Sequence, residues 1–268
     1  MLGFFAVYGN PITHSKSPFL HNYAFTKLGL SGYYSRILLD KGANLRQNFL
    51  SNGLSGANIT LPFKEEAFNQ CDEVRGVAQN IGACNTWVLE DKNHLVGYNT
   101  DAQGFYECIK EYKIKNALII GAGGSAKAVA MILQSHNIPT TLINRSVQNL
   151  SFFVHKGFEC YVNSEFKPTC SYDILINTTS AGLNDNLLPC DESQLKELCS
   201  CGKYAFDLIY GKCTPFLALA QSFHLSCSDG KEMLINQAAL SFELFCKQKY
   251  NKGNLEIQRI ASFMNEIL

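Results

Sequence analysis

An α/β fold is predicted by three observations. Ala117-Leu118-Ile119-Ile120 is an apolar strand that runs straight into the cluster Gly121-Ala122-Gly123-Gly124-Ser125-Ala126, and Lys127 to Leu133 continue as a helix. A second strand, Thr140-Thr141-Leu142-Ile143, arrives roughly 20 residues after the cluster, as a βαβ unit requires. Before this unit, short apolar strands alternate with helical stretches across the first hundred residues.

The first strand is Phe4 to Tyr8. The N-terminus has no basic start and no long apolar run, so it reads as a strand, and neither a signal peptide nor a membrane span is expected. Ser17-Pro18 then reads as a helix start, with Ser17 as N-cap and Pro18 at the first helical position. The helix continues through Phe19, Leu20, Tyr23, Ala24 and Leu28 and stops at Gly29. Ser15, Lys16 and Ser17 sit at a helix N-terminus after a strand. They either seat a small anion such as a carboxylate or only cap the helix. His14 and His21 read equally well as ordinary polar neighbours.

Tyr33 to Leu39 is the second predicted strand, Leu45 to Leu50 belongs to a helix, and Gly56 to Leu61 is a third strand stopped by Pro62. Asn58 and Thr60, two apart, share one face of it, and Ala57, Ile59 and Leu61 take the other. Lys64 begins the helix Phe63 to Phe68. It is either a surface lysine or a ligand-facing one, since α/β proteins bind ligands past the carboxyl ends of strands. Gly82 to Leu89, a polar turn at Glu90 to Asn93, and His94 to Asp101 form a hairpin pattern. Centred near Asn93, it places Asn85 opposite Asp101, an amide and a carboxylate on one site. Alternatively, Asp101 caps a helix beginning near Ala102.

In the glycine cluster, Gly121 allows a sharp turn, Gly123 lets backbone approach a pyrophosphate, and Ala126 lets the helix pack close to the strand. The helix N-terminus then offers N–H groups to phosphates. The competing reading is a glycine-rich turn in some other α/β unit. At the end of the next strand stands Asn144-Arg145-Ser146, with no acid to hold a ribose 2′-hydroxyl. A guanidinium there pairs with a 2′-phosphate, which favours NADP over NAD, unless Arg145 is merely solvated. Ser171 to Asn177 is a further buried strand that enters the loop Thr178 to Gly182. Tyr204 to Tyr210 repeats that pattern and enters Gly211 to Pro215. Met233 to Lys249 and Leu255 to Leu268 are amphipathic helices, with Gln237 early in the first.

Composition excludes several classes. Hydrophobic residues at 46% against 17% charged describe a globular chain. Lys+Arg and Asp+Glu balance at 23 each, so no nucleic-acid partner is expected. The eleven cysteines are odd in number and scattered without a CxxC pair; Cys199 and Cys201 are separated by one residue only. They read as reduced small hydrophobes in a cytoplasmic protein, with no metal site.

Taken together, these stretches resemble the shikimate dehydrogenase family. The resemblance is carried by Gly9-Asn10-Pro11 with His14 to Pro18, Asn58 to Lys64, Gly82 to Thr86, and Gly97 to Gly104. It continues through the glycine cluster, Asn144 to Ser146, Asp207 to Tyr210 with Thr214-Pro215, and Met233-Leu234 with Gln237 to Ala239. It covers nearly the whole chain in order. It implies two α/β domains: a substrate domain over 1–101, a Rossmann-like NADP-binding domain over 102–232, and C-terminal helices over 233–268 returning to the first. The implied reaction is NADPH-dependent reduction of 3-dehydroshikimate to shikimate, in the route to chorismate and the aromatic amino acids. Lys64 and Asp101 would be the catalytic pair. Ser15 and Ser17, helped by Tyr210, would hold the substrate carboxylate, and Asn58, Thr60, Asn85 and Gln237 the ring hydroxyls. The cofactor would touch Gly121, Ala122, Gly123, Gly124, Ser125, Ala126, Asn144, Arg145, Ser146, Thr178, Leu208 and Gly230. A monomer or homodimer is implied. The chain departs from the family's pattern at Lys127, where many members have Arg, at Asn149, where a second basic residue often stands, and at Glu232, where Gly is usual. Two other readings are an NAD-preferring quinate/shikimate dehydrogenase and a non-catalytic binding protein that kept the fold.

Overall fold

The computed structural model describes residues 2–168, 172–252 and 255–268. Met1, Cys170 and Ser171, which the sequence reading includes, lie outside the described residues. The chain divides into two compact units, Met1–Glu107 with Leu234–Leu268, and Cys108–Met233.

In the first unit, strands and helices follow in the order β1 (Gly3–Gly9), α1 (Ser17–Lys27), β2 (Gly32–Leu38), α2 (Leu45–Ser51), β3 (Gly56–Ile59), α3 (Lys64–Gln70), β4 (Glu73–Val74), α4 (Ala78–Ile81), β5 (Thr86–Leu89), β6 (Leu95–Tyr98) and α5 (Thr100–Ile109). The sheet order is β2-β1-β3-β5-β6-β4, with β1 parallel to β2 and β3, and β5 antiparallel to both its neighbours. The two-residue period of β1 sorts its side chains. Phe5 and Val7 enter one apolar cluster with Leu20, Phe25, Phe242, Phe245, Ile260 and Met264, while Ala6 and Tyr8 enter another with Phe49, Ala57, Ile59 and Trp87. The C-terminal helices therefore belong to the first cluster.

The second unit runs β7 (Ala117–Ile120), α6 (Gly124–Ser135), β8 (Thr140–Asn144), α7 (Ser151–His155), β9 (Glu159–Val162), β10 (Ile174–Asn177), α8 (Glu192–Cys201), β11 (Tyr204–Asp207), α9 (Pro215–Ser222) and β12 (Ser226–Ser228). α10 (Lys231–Tyr250) and α11 (Ile257–Asn265) follow. The six strands pair in parallel, in the order β12-β11-β10-β7-β8-β9. β7 and β10 are buried at all four positions, as strands covered on both faces must be. The direction of winding reverses between β7 and β10, so their carboxyl ends open the crevice where such sheets bind ligands.

Four sequence expectations are corrected. Ser17 is the first helical residue rather than the N-cap. Lys16 flanks the helix, its carbonyl accepting from Phe19 and Leu20, and Ser15 Oγ accepts the Ser17 N–H at 3.3 Å. The third strand ends at Ile59, and Leu61 is 71% exposed instead of sharing the buried face of Ala57 and Ile59. The chain bends there because Phe63 N–H bonds Thr60 O at 3.0 Å. The strand expected from Tyr204 to Tyr210 ends at Asp207, whose carboxylate accepts the Ile209 N–H at 3.0 Å and turns the chain. β4, β9 and β12 are short strands with no predicted counterpart.

His21 is fully buried on α1, stacked on Tyr34 at 4.2 Å, and neither ring nitrogen has a hydrogen-bond partner among the described residues. Burial lowers its pKa from the usual 6.5 to about 3. The unfolded imidazole takes up a proton below about 6.5 while the folded one refuses it, so stability falls as pH is lowered through that window. Between pH 7 and pH 5 the wild type should lose roughly 2 kcal/mol from this residue alone. Urea denaturation at both pH values should show that extra loss in wild type and not in His21→Phe.

Candidate active site

Lys64 opens α3 just past the carboxyl end of β3, and Asp101 lies in the first turn of α5 just past the carboxyl end of β6. Their side chains meet: Lys64 Nζ is 2.7 Å from Asp101 Oδ2, with the side chains only 17% and 13% exposed. Asp101 does not cap its helix. Asn99 Oδ1 takes that role by accepting the Ala102 N–H at 3.2 Å, which leaves the Asp101 carboxylate for the lysine. Partial burial strengthens a charge pair and raises the cost of removing either member.

The hairpin differs from its predicted register. Thr86 pairs with Tyr98, so the turn is centred at residue 92, and Asn85 stands opposite Asn99 rather than Asp101 while its side chain reaches Thr100. The physical reason is the tight turn Asp91–Asn93, in which Asn93 adopts φ 64°. Asn85 Oδ1 accepts the Thr100 N–H at 2.8 Å and its Nδ2 donates to Thr100 Oγ1 at 3.0 Å. The amide thus fixes the residue next to Asp101.

From this point a chain of hydrogen bonds crosses the sheet. Thr86 Oγ1 donates to Asn85 Oδ1 at 3.0 Å and accepts from Asn58 Nδ2 at 3.0 Å. Tyr34 Oη donates to Asn58 Oδ1 at 2.7 Å. Ser15 Oγ donates to Ser17 Oγ at 3.3 Å on the neighbouring α1 start. Burial pushes the Tyr34 hydroxyl pKa well up, so it remains a proton donor. Of the predicted residues, Asn58 and Asn85 therefore belong to one network with Tyr34, Thr86 and Thr100, Ser15 and Ser17 form a separate pair, and the network ends at Thr100, next to Asp101. Thr60 lies beside it after β3, its N–H on Tyr8 O at 2.8 Å. Gln237 is brought to α5, where Gly104 leaves room for it: a Cβ there would stand 2.8 Å from Gln237 N.

Tyr34, Thr86 and Thr100 escaped the sequence reading, as did Arg36. Its guanidinium donates to Ser15 O at 2.9 Å through Nε and stacks over Phe19. The positive charge behind the two serine hydroxyls is therefore Arg36 on β2. The two-residue period puts Tyr34 and Arg36 on one face of their strand, but nothing local marks that face as part of a site.

In the second unit the predicted cofactor residues gather at the carboxyl ends of β7, β8, β10 and β11. Gly121 has φ 111°, and a Cβ on it would stand 2.6 Å from Thr178 Oγ1, so the turn demands glycine. Gly123 and Gly124 face open space where a Cβ would stand. The N–H groups of Gly124, Ser125 and Ala126 precede the first bond of α6, from Lys127 N–H to Gly123 O at 3.1 Å. This open cradle at a helix N-terminus fits a dinucleotide pyrophosphate. Ala122 and Ala126 are buried beneath it. Asn144 Nδ2 donates to Ser146 O at 2.9 Å, which shapes the turn that leaves Arg145 exposed. Lys127 Nζ lies 4.8 Å from the Phe152 ring centroid, while Asn149 and Glu232 are exposed. Gly230 presses on the next loop: its Cβ would collide with Leu208 O, and its N–H bonds Ile209 O at 3.1 Å. Tyr210 is half-buried in that loop, and burial raises its pKa.

Comparisons with known proteins agree with this geometry. Residues 7–87 match the family model described as the shikimate dehydrogenase substrate binding domain. Among curated relatives, shikimate dehydrogenase (NADP(+)) of Helicobacter pylori strain P12 is 50% identical, with 95% of this chain and 97% of the relative covered. That of Caldanaerobacter subterraneus subsp. tengcongensis is 34% identical, over 92% and 93%. Among solved structures, shikimate 5-dehydrogenase of Thermus thermophilus, in complex with NADP(H) and shikimate, superposes with a TM-score of 0.82. It shares 32% identity, with 100% of both chains covered.

Thr86 is the hub whose loss should be felt. Thr86→Val keeps the shape and removes the hydroxyl, leaving Asn58 Nδ2 and Asn85 Oδ1 each short of a partner. A destabilisation of about 1–3 kcal/mol is expected in chemical denaturation, with no change in the slope of the transition.

Proposed function

The chain belongs to the shikimate dehydrogenase family, and we propose on that premise that Lys64 and Asp101 carry out the reversible NADPH-dependent reduction of 3-dehydroshikimate to shikimate. The single observation behind the assignment is the 2.7 Å pair itself, held by two helix starts at the carboxyl end of one sheet. A structural ion pair needs no such placement, whereas α/β ligand sites occur there.

The cofactor, when bound, supplies the hydride. In the reductive direction, negative charge grows on the substrate's ketone oxygen. Lys64 Nζ, carrying a proton, stabilises that charge and passes the proton to the oxygen, so that the ketone becomes an alcohol. Asp101 Oδ2 orients Nζ between turnovers. In oxidation the proton moves back from the alcohol to Nζ. Ser15 and Ser17, with the Arg36 charge behind them, would hold the substrate carboxylate. Asn58, Thr60, Asn85 and Gln237 would meet the ring hydroxyls.

Cofactor choice rests on the end of β8. An NAD enzyme would place an acid there, and this chain has Asn144 followed by the exposed Arg145. We assign NADP, with Arg145 on the 2′-phosphate and Gly121 to Ala126, Asn144 and Ser146 around the phosphates and ribose. Thr178, Leu208 and Gly230 line the neighbouring loops. The reaction supplies shikimate for chorismate and aromatic amino-acid biosynthesis. Among the described residues no helix is long and apolar enough to cross a membrane. The scattered, odd-numbered cysteines support a cytoplasmic setting, where the protein would act as a monomer or homodimer without nucleic acid.

Shikimate oxidation by the purified protein, followed by cofactor absorbance, tests the reading. Turnover with NADP⁺ should exceed that with NAD⁺, and quinate should be a poor substrate. Lys64→Ala should lower kcat about 10²–10⁴-fold while KM changes far less. A kcat within threefold of wild type would remove Lys64 from the mechanism. Arg145→Ala should raise KM for NADP⁺ on the order of tenfold, equivalent to the loss of a charge-assisted contact, and leave KM for NAD⁺ unchanged.

A further inference from the structure

Two thiols flank the catalytic lysine, and the reaction uses neither. Cys71 is the residue that ends α3, the helix that Lys64 begins. Cys84 precedes Asn85, and its N–H donates to Lys64 O at 2.9 Å. The pair thus grips both ends of α3. Their sulfurs meet over Gly97 of β6, where a Cβ would stand 2.6 Å from Cys84 Sγ and 2.8 Å from Cys71 Sγ. Any other residue at 97 would hold them apart. Both sulfurs therefore crowd one point above Gly97, and the Cys71 thiol donates to Phe68 O at 3.3 Å. Cys84 is buried, and Cys71 is partly open to solvent. The neighbouring Cys84 thiol holds the Cys71 pKa below the ordinary thiol value, whereas the Cys71 neighbour and burial push Cys84 up. Because Cys71 is the sulfur open to solvent, it is the one peroxide reaches, and the buried Cys84 is the resident resolving partner.

We propose that Cys71 and Cys84 form a reversible disulfide when the protein meets hydrogen peroxide, a redox site that locks α3 to the loop carrying Asn85. The Cys71 thiolate attacks one peroxide oxygen, the O–O bond breaks, and the departing hydroxide takes a proton to become water. Cys84 then attacks the sulfur of the resulting sulfenic acid. The S–S bond forms, the S–O bond breaks, and the second water leaves with the Cys84 proton. The two sulfurs lose two electrons and the peroxide gains them. A dithiol reductant reverses the reaction. A covalent bond is much shorter than a thiol–thiol contact, so closure draws the Cys84 loop, and with it the Lys64 carbonyl, toward Cys71. A shift of that kind near a catalytic group costs up to about 10²-fold in rate.

The test treats the reduced full-length protein with hydrogen peroxide, alkylates the remaining thiols, and maps peptides by mass spectrometry. The expected result is a Cys71–Cys84 cross-linked peptide, with shikimate oxidation down about tenfold or more and restored by dithiothreitol. Cys71→Ser should keep the reduced-state rate and resist peroxide, and Cys84→Ala should form no such cross-link. Absence of the cross-link in wild type overturns the site. An equal peroxide loss in Cys71→Ser overturns the coupling to activity and moves the effect to the exposed Cys201 or Cys213. The cross-link is read without turnover, so its failure is distinguishable from failure of the proposed reaction.

Discussion

The first unit depends on keeping a lysine and an aspartate together in a partly dry place. The 2.7 Å contact between Lys64 and Asp101 cannot be made by side-chain reach alone, because each residue sits at the start of a different helix. α3 must begin where β3 ends, and α5 where β6 ends. The strand order β3-β5-β6 sets the spacing between those two points. Each helix start is then pinned by a neighbour: Cys84 N–H on Lys64 O, and Asn85 Oδ1 on Thr100 N–H. Adjacent residues 84 and 85 thus fix both members of the pair. A loop displacement there alters the pair even though neither residue is part of it.

The same economy explains why polar side chains tolerate the middle of this sheet. Asn58 is only 7% exposed, in a strand whose other positions are apolar or glycine. A buried amide without partners would cost several kcal/mol. Asn58 meets Tyr34, Thr86 and the Asn85 carbonyl, and each partner is itself held. Fully satisfied networks rigidify the groups they contain, which is what a site that must recognise several hydroxyls needs. His21 marks the other extreme. It carries no hydrogen bond among the described residues, and it serves as an aromatic slab against Tyr34 that keeps the phenol aimed at Asn58.

How much of this is legible in the sequence depends on how local the cause is. The turn at Gly121 is legible because strand, glycine and helix lie within ten residues and each position has its own steric reason. The pairing of Lys64 with Asp101 is legible only through the resemblance, since 37 residues separate them and neither has a distinctive local pattern. The hairpin partner of Asn85 differs from the expected one by two residues because the turn is centred at 92, with Asn93 left-handed at its end, and Asn93 looks no different from other turn residues. Tyr34 and Thr86 were passed over for a different reason. Tyrosine and threonine are ordinary strand formers, so their presence in strands says nothing about their hydroxyls. Only the packing of one strand against the next shows that those hydroxyls bond to each other's neighbours.

The second unit shows how a departure from a family pattern is read once positions are known. Lys127 stands where many members carry arginine, and the loss of a planar fork would matter most if that side chain reached the 2′-phosphate alone. Its ammonium lies over the ring of Phe152 on α7, the helix that follows the turn after β8. Arg145 is exposed in that turn, and Asn149 contributes no charge. On the proposed assignment, discrimination between the two dinucleotides would rest mainly on one guanidinium. Unlike a guanidinium, the Lys127 ammonium cannot offer a planar fork to a phosphate, and the missing acid at Asn144 removes repulsion from the phosphate without adding any grip of its own.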